Sequence, residues 1–172
     1  MGKITLVLGG ARSGKSTYAL SLPGKKKKVA FIATGEGLDR EMRERILKHQ
    51  KARPKDWKTF EEPRDLTALI ARIGDNYGCI IVDCLTLLIS NLILAKDKEK
   101  TIREKCAAWL LQLEKKKAKI ILVANEVGLG IVPLTKLGRD FRDVAGRINQ
   151  LAAQEAQEVY LIAAGIPLKI KG

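Results

Sequence analysis

The sequence predicts an α/β fold: a mainly parallel sheet with helices on both faces and an antiparallel strand at its C-terminal end. Short apolar runs alternate with longer stretches of helical period, the pattern of a parallel sheet built from crossover units. The last two apolar runs are too close together for a crossover, so they pair antiparallel. The first run passes directly into a glycine-rich loop and then a helix start, the arrangement that cradles phosphate.

That loop is Gly9-Gly10-Ala11-Arg12-Ser13-Gly14-Lys15-Ser16, which fits G-x-x-x-x-G-K-[ST]. Its glycines let backbone N–H groups close on phosphate oxygens. Lys15 is positioned to set an ammonium between the β- and γ-phosphates, and the Ser16 hydroxyl to ligate Mg²⁺. Upstream, Lys3 to Leu8 reads as a strand. Downstream, Ser16 to Leu22 reads as the first turns of a helix, whose N-terminus turns N–H groups and a positive dipole toward the anion. An ordinary glycine-rich turn would not need the lysine and serine in place.

Pro23-Gly24 and a lysine run mark a turn before Val29–Ala33, a buried-type strand followed by Thr34-Gly35-Glu36-Gly37. Loops at strand carboxyl ends line the ligand crevice of such sheets. Leu38 to Lys51 reads as a helix in which Leu38, Met42, Ile46, His49 and Arg53 share a face. Pro54 ends it, leaving His49 in or near the last turn. Trp57 to Phe60 is a short strand before Glu61 and Glu62, and Leu66 to Ile73 a helix stopped by Gly74.

Cys79-Ile80-Ile81-Val82-Asp83 is an apolar strand ending in a carboxylate, the Walker B pattern that presents an Asp to Mg²⁺. Leu85 to Ala95 is apolar nearly all round, which predicts burial by the core or by another subunit. Ile102, Cys106, Trp109, Leu110 and Leu113 define one face of an amphipathic helix closed by basic residues. Ile120 to Ala124 is a strand with Asn125-Glu126 at its carboxyl end, followed by a loop from Val127 to Pro133. Arg139 to Glu158 reads as helix, Val159 to Ala163 as strand, Gly165-Ile166-Pro167 as a turn and Leu168 to Ile170 as the closing strand.

With 172 residues and nearly half of them apolar, the chain suits one compact domain, residues 1–172. The net charge of +13 favours acidic partners such as nucleotides, nucleic acid or an anionic surface. Much of the excess lies in runs such as Lys25–Lys28 and Lys115–Lys117, which fits a solvated, lysine-rich surface. Cys79, Cys84 and Cys106 form no C-x-x-C pair, and an odd count points to a reducing cytoplasm. The N-terminus does not have the pattern of a signal peptide. Ile80 to Ala95 is too short for a membrane span and is interrupted by Asp83, Thr86, Ser90 and Asn91.

His49 is the single histidine. A lone helix-end histidine is by default a satisfied structural residue. Two features argue for more: it ends a face that starts apolar and so points inward at the ligand edge, and Arg53 lies one turn on, placed to pair with phosphate. A neutral imidazole attacks phosphorus to give a phosphoramidate that reacts onward.

These segments together resemble the bifunctional adenosylcobinamide kinase / adenosylcobinamide-phosphate guanylyltransferase family of cobalamin synthesis. The resemblance rests on Gly9 to Ser16, Phe31-Ile32-Ala33-Thr34, Lys48-His49-Gln50-Lys51-Ala52-Arg53-Pro54 with Trp57, and Val82-Asp83-Cys84-Leu85-Thr86. It extends to Asn125 through Pro133 and Phe141 through Gln150, so it covers essentially the whole chain. It implies a RecA-like P-loop fold and two reactions. A nucleoside triphosphate, ATP or GTP, phosphorylates the aminopropanol hydroxyl of adenosylcobinamide. GTP then transfers GMP to a histidine, here His49, and on to the phosphorylated corrinoid. The implied nucleotide contacts are Gly9, Gly10, Ala11, Arg12, Ser13, Gly14, Lys15 and Ser16, with Thr34, Gly35 and Glu36, then Gln50, Lys51, Ala52 and Arg53, and finally Glu61 and Asp83. The implied assembly is a trimer, with no nucleic-acid partner. Ala52 stands where relatives carry glycine, Gln50 where a lysine occurs, and Leu134-Thr135 where a more polar pair follows the proline.

Two other readings compete. A nucleic-acid-associated ATPase would use the positive charge, but it would want exposed aromatics for base stacking; the chain has only two Trp, three Tyr and three Phe. A non-catalytic nucleotide-binding regulator would need no nucleophile beside the phosphates.

Overall fold

The computed structural model describes residues 2–24, 28–37 and 39–172, with Arg45 described in its backbone alone. Its strands are β1 (Ile4–Gly9), β2 (Val29–Ala33), β3 (Lys58–Glu61), β4 (Cys79–Asp83), β5 (Lys119–Asn125), β6 (Glu158–Ala163) and β7 (Ile166–Lys171). The helices are α1 (Lys15–Ser21), α2 (Arg40–Lys51), α3 (Leu66–Ile73), α4 (Leu85–Leu94), α5 (Glu99–Glu114) and α6 (Lys136–Glu155). The strands form one sheet in the order β3-β2-β4-β5-β1-β6-β7, parallel except for β7, which pairs antiparallel with β6.

Because side chains alternate across a strand, each run feeds two cores. Ile80 and Val82 of β4 and Ile120, Leu122 and Ala124 of β5 join α3, α4, α5 and α6 on one face. Cys79 and Ile81 of β4, Ile121 and Val123 of β5, and Val7 and Phe31 join Ala19 of α1 on the other. Both faces are therefore helix-covered, as the alternation requires. A large buried side chain contributes about 1.5–3 kcal/mol, against about 0–1 kcal/mol for an exposed ion pair such as Arg40–Glu44. The two cores, not the abundant surface charge, hold the sheet.

Several boundaries differ from the sequence reading. The last helix runs from Lys136 to Glu155, not from Arg139 to Glu158. Thr135 starts it early, its hydroxyl accepting from Gly138 N–H at 3.1 Å. Glu158 belongs to β6, because Gln157 N–H already donates to Ile4 C=O at 3.0 Å and draws the chain into the sheet. The final turn is Ala164-Gly165; Ile166 and Pro167 are in β7, an edge strand where proline's missing N–H is tolerated. The strand after Trp57 begins at Lys58 and carries Glu61 at its end, in register with Ala33. Asp39 caps α2, accepting from Met42 N–H at 2.7 Å, so the helix starts at Arg40; Leu38 and the lysines at 25–27 lie outside the described residues. The apolar helix α4 is largely enclosed by this chain's own core, with Leu94 the side chain left 55 % exposed. No helix among the described residues is long and apolar enough to cross a membrane.

Candidate functional site

The sheet places β5 between β1, which carries the glycine-rich loop, and β4, which carries Asp83. The carboxyl ends of all three open on one edge. Gly14 has φ 93°, the left-handed region that glycine tolerates, and it leads into α1. A Cβ on Gly9 would come within 2.4 Å of Ser13 Oγ and 3.0 Å of the Ile162 carbonyl oxygen, so a larger residue there would press on both the loop and β6. Lys15 Nζ donates to Gly10 C=O at 3.1 Å, spanning the loop it serves. The β6–β7 turn supports the loop from outside: Gly165 N–H donates to Ser13 C=O at 2.8 Å. Ala11 and Arg12 are exposed at the loop's tip.

Asp83 ends β4 on the α1 face. Burial pushes its carboxyl above the ordinary range, against the opposing pull of His49, Lys15, the Ser16 hydroxyl and Arg53. The residues the sequence singled out for phosphate, metal and nucleophile thus converge electrostatically on one carboxylate. Ser16 and Asp83 offer two hard oxygen donors beside the cradle. That set fits Mg²⁺, which takes few protein oxygens and completes its shell with phosphate and water. No cluster of His, Cys, Asp and Glu able to hold a metal unaided occurs among the described residues.

Arg53 lies half-buried with its guanidinium 3.8 Å from the centre of the Phe31 ring. Desolvation lowers its pKa, while Asp83 and Glu61 favour the charged form. Its Nη1 donates to Thr59 Oγ1 at 3.4 Å. Stacking and the two carboxylates therefore fix a cation at the rim. Gln50 Nε2 donates to Glu61 Oε1 at 3.1 Å, tying the end of α2 to the end of β3. Glu36 pairs with Arg64 at 3.3 Å. Lys51 and Ala52 sit exposed at the end of α2.

Two placements depart from expectation. His49 is exposed at the ligand edge, not turned inward, because none of the described side chains of α2 is buried in either core and the helix lies against the 34–37 loop. Thr34 is 0 % exposed, so its side chain is not presented to a ligand. Its hydroxyl instead donates to Cys84 C=O at 2.7 Å and accepts from Cys84 N–H at 2.9 Å, fixing the chain beside Asp83; the Asp83–Cys84 peptide is cis. Asn91 Nδ2 holds the Thr34 carbonyl at 2.8 Å. Sequence reasoning did not single out this support, nor Thr86 and Asn149, which grip the Asn125 backbone. Thr86 and Asn91, polar residues inside the otherwise apolar α4, were the available signal.

A glycine-rich phosphate cradle at the centre of a parallel sheet, with a strand-end carboxylate two strands away, defines a P-loop nucleotide-binding protein of the RecA-like kind. Solved structures share the fold: the RadB recombinase (TM-score 0.55, 18 % identity, 93 % of this chain and 74 % of that one) and a KaiC-like protein from Pyrococcus horikoshii (TM-score 0.53, 18 % identity, 93 % and 70 %). Residues 5–170 match the family model of CobU, cobinamide kinase / cobinamide phosphate guanyltransferase. The chain is 42 % identical to the bifunctional adenosylcobalamin biosynthesis protein CobU of Escherichia coli, over 96 % of this chain and 98 % of that protein. It is also 42 % identical to the protein CobP of the same description from Pseudomonas aeruginosa, over 97 % and 96 %. The chain belongs to the CobU family.

Proposed function

We propose that this chain, working as a single catalytic domain, phosphorylates the hydroxyl of adenosylcobinamide and then converts the product to adenosylcobinamide-GDP. The observation that carries this reading is one sheet edge where the glycine-rich loop with Lys15 and Ser16 follows β1, Asp83 ends β4 two strands away, and Arg53 is held against Phe31 of β2. In the first reaction the alcohol oxygen attacks the γ-phosphorus of ATP or GTP, and the nucleoside diphosphate leaves. Lys15 and the loop N–H groups hold the phosphates and offset the charge that develops there. In the second, a His49 ring nitrogen attacks the α-phosphorus of GTP and pyrophosphate leaves. The corrinoid phosphate then displaces the imidazole, taking GMP. Ser16 and Asp83 would hold Mg²⁺, which when bound neutralises phosphate charge. The nucleotide is contacted by Gly9 to Ser16, Gly35, Glu36, Gln50 to Arg53 and Glu61. Thr34 acts from beneath through its peptide and its hold on Cys84. Mass spectrometry after incubation with GTP and Mg²⁺ tests the reading: the chain should gain the mass of GMP on His49.

The eight aromatic side chains are buried or half-buried: Trp109 and Phe31 are buried, and Tyr18 packs at a tilt against Tyr160. This supports the enzyme reading over a nucleic-acid ATPase, which would present bases with a stacking platform. A cytoplasmic setting agrees with three buried free thiols.

Asp83→Asn should raise the Mg²⁺ concentration needed for half-maximal turnover while shifting the thermal midpoint little, since the carboxylate is placed for a cation and its ionised form is penalised by burial. An unchanged Mg²⁺ titration would remove Asp83 from the metal site.

We also propose a trimer. The apolar surface that calls for cover is not α4 but the 129–137 segment, where Leu129, Ile131 and Leu134 are 81 %, 94 % and 96 % exposed, together with Ile166, Leu168 and Ile170 of β7. Light scattering at micromolar concentration should give three times the chain mass; a monomer would rule the assembly out.

A further inference from the structure

We infer that Asn125 orients the attacking hydroxyl in the kinase step, its side-chain oxygen accepting the hydrogen bond of the substrate alcohol; this rests on the kinase reading above. Along β5, Ile121 and Val123 face the α1 core, so Asn125, next in that alternation, faces the same side. Asp83 follows Ile81 on that side, and Gly9 follows Val7. The register sets Val123 opposite Asp83 and Asn125 opposite Gly9. Asn125 therefore stands one side-chain step past the carboxylate, between the metal-holding strand and the phosphate cradle.

Its backbone is committed. The Asn125 N–H donates to Thr86 Oγ1 at 2.7 Å, and its C=O accepts from Asn149 Nδ2 at 3.2 Å. Thr86 and Asn149 are themselves 5 % and 6 % exposed, so the clamp comes from the interior. The next N–H, of Glu126, donates to Gly9 C=O at 3.0 Å. What remains is the side chain, and Asn125 Oδ1 is buried with no hydrogen-bond partner.

A buried acceptor without a donor is costly, so a partner should arrive with the ligand. Phosphate oxygens are acceptors and cannot serve. The substrate alcohol is a donor, and it must approach the γ-phosphate in line. An amide is not a base at neutral pH. Asn125 therefore aims the hydroxyl without taking its proton. The alcohol oxygen bonds to the γ-phosphorus, the β–γ bridging oxygen leaves with the nucleoside diphosphate, and the proton departs to solvent by way of the phosphoryl oxygens.

The test uses the full chain with Asn125→Ala and Asn125→Ser. With saturating nucleotide, Asn125→Ala should lower kcat for adenosylcobinamide phosphorylation about 100-fold. Affinity for a fluorescent GTP analogue, and the rate of GMP-adduct formation from GTP without corrinoid, should stay within about threefold. Asn125→Ser, which keeps a shorter acceptor, should fall between. A full kinase rate in Asn125→Ala, or equal losses in both half-reactions with a lowered thermal midpoint, would overturn the assignment. A wild-type chain that forms the GMP adduct but never phosphorylates the alcohol would instead sink the kinase reading on which it depends.

Discussion

Lys15→Ala is expected to lower both activities, phosphoryl transfer and guanylyl transfer, by about a hundred- to a thousandfold each. On the proposed reading both reactions begin with a triphosphate in the same loop, and both build negative charge on phosphate oxygens as a bond to phosphorus breaks. Lys15 is the cation the loop itself contributes to that charge. It follows Gly14 at the start of α1, and its ammonium reaches back to Gly10 C=O across the loop. Arg12, the other cation of the loop, is exposed at the tip with φ 56°. Arg53 is pinned against Phe31 at the rim. Neither stands where Lys15 does, so neither is placed to replace it. Because the change leaves the loop glycines intact, the variant should fold, and the loss should appear in kcat/KM of each half-reaction measured separately. Near-normal turnover in either one would mean that the two reactions do not share this cradle.

How far the sequence carried depended on how local each feature was. Helix α3 and strand β4 have the predicted bounds because Gly74 and Asp83 are hard local stops. The five residues assigned to the buried face of α5 are the five it buries. The glycine-rich loop is contiguous, so its chemistry can be read without the fold. Strand order was not legible, since periodicity records which face a residue takes and not which strand lies beside it. That is why Asn125 could be placed at a strand end but not opposite Gly9. The support of Ser13 by Gly165 joins residues far apart in the chain and leaves no local trace. The pattern Leu38, Met42, Ile46, His49 suggested an inward face; in the structure Met42 and Ile46 are only partly covered and His49 is open to solvent. Amphipathic spacing sets which side of a helix faces the protein, but not how much protein is there to cover it.

His49→Ala is expected to lose guanylyl transfer entirely while keeping at least part of the kinase activity. On the proposed reading one cradle holds the triphosphate for both reactions, but they attack opposite ends of it. The kinase step takes the γ-phosphate, and the transferase step breaks the bond between the α- and β-phosphates. A second nucleophile must therefore reach the α-phosphorus, and His49 has the right surroundings. It is in the last turn of α2, with Gln50 tied to Glu61 beside it. It lies at the same sheet edge as Asp83, where α2 packs against the loop that follows β2. Exposure suits the role, because the guanylylated ring must then be met by a bulky corrinoid phosphate, which a buried ring would exclude. Attack needs the lone pair of a ring nitrogen, which the imidazole supplies without a general base. The phosphorus–nitrogen bond should be labile to acid and stable to base, unlike a phosphoester of serine. Peptide mapping after GTP treatment checks the site, and assays of adenosylcobinamide phosphate and adenosylcobinamide-GDP check the two reactions in the variant. A GMP-modified peptide lacking His49, or a His49→Ala chain that still makes adenosylcobinamide-GDP, would remove the covalent route and leave the phosphate cradle to be explained by phosphoryl transfer alone.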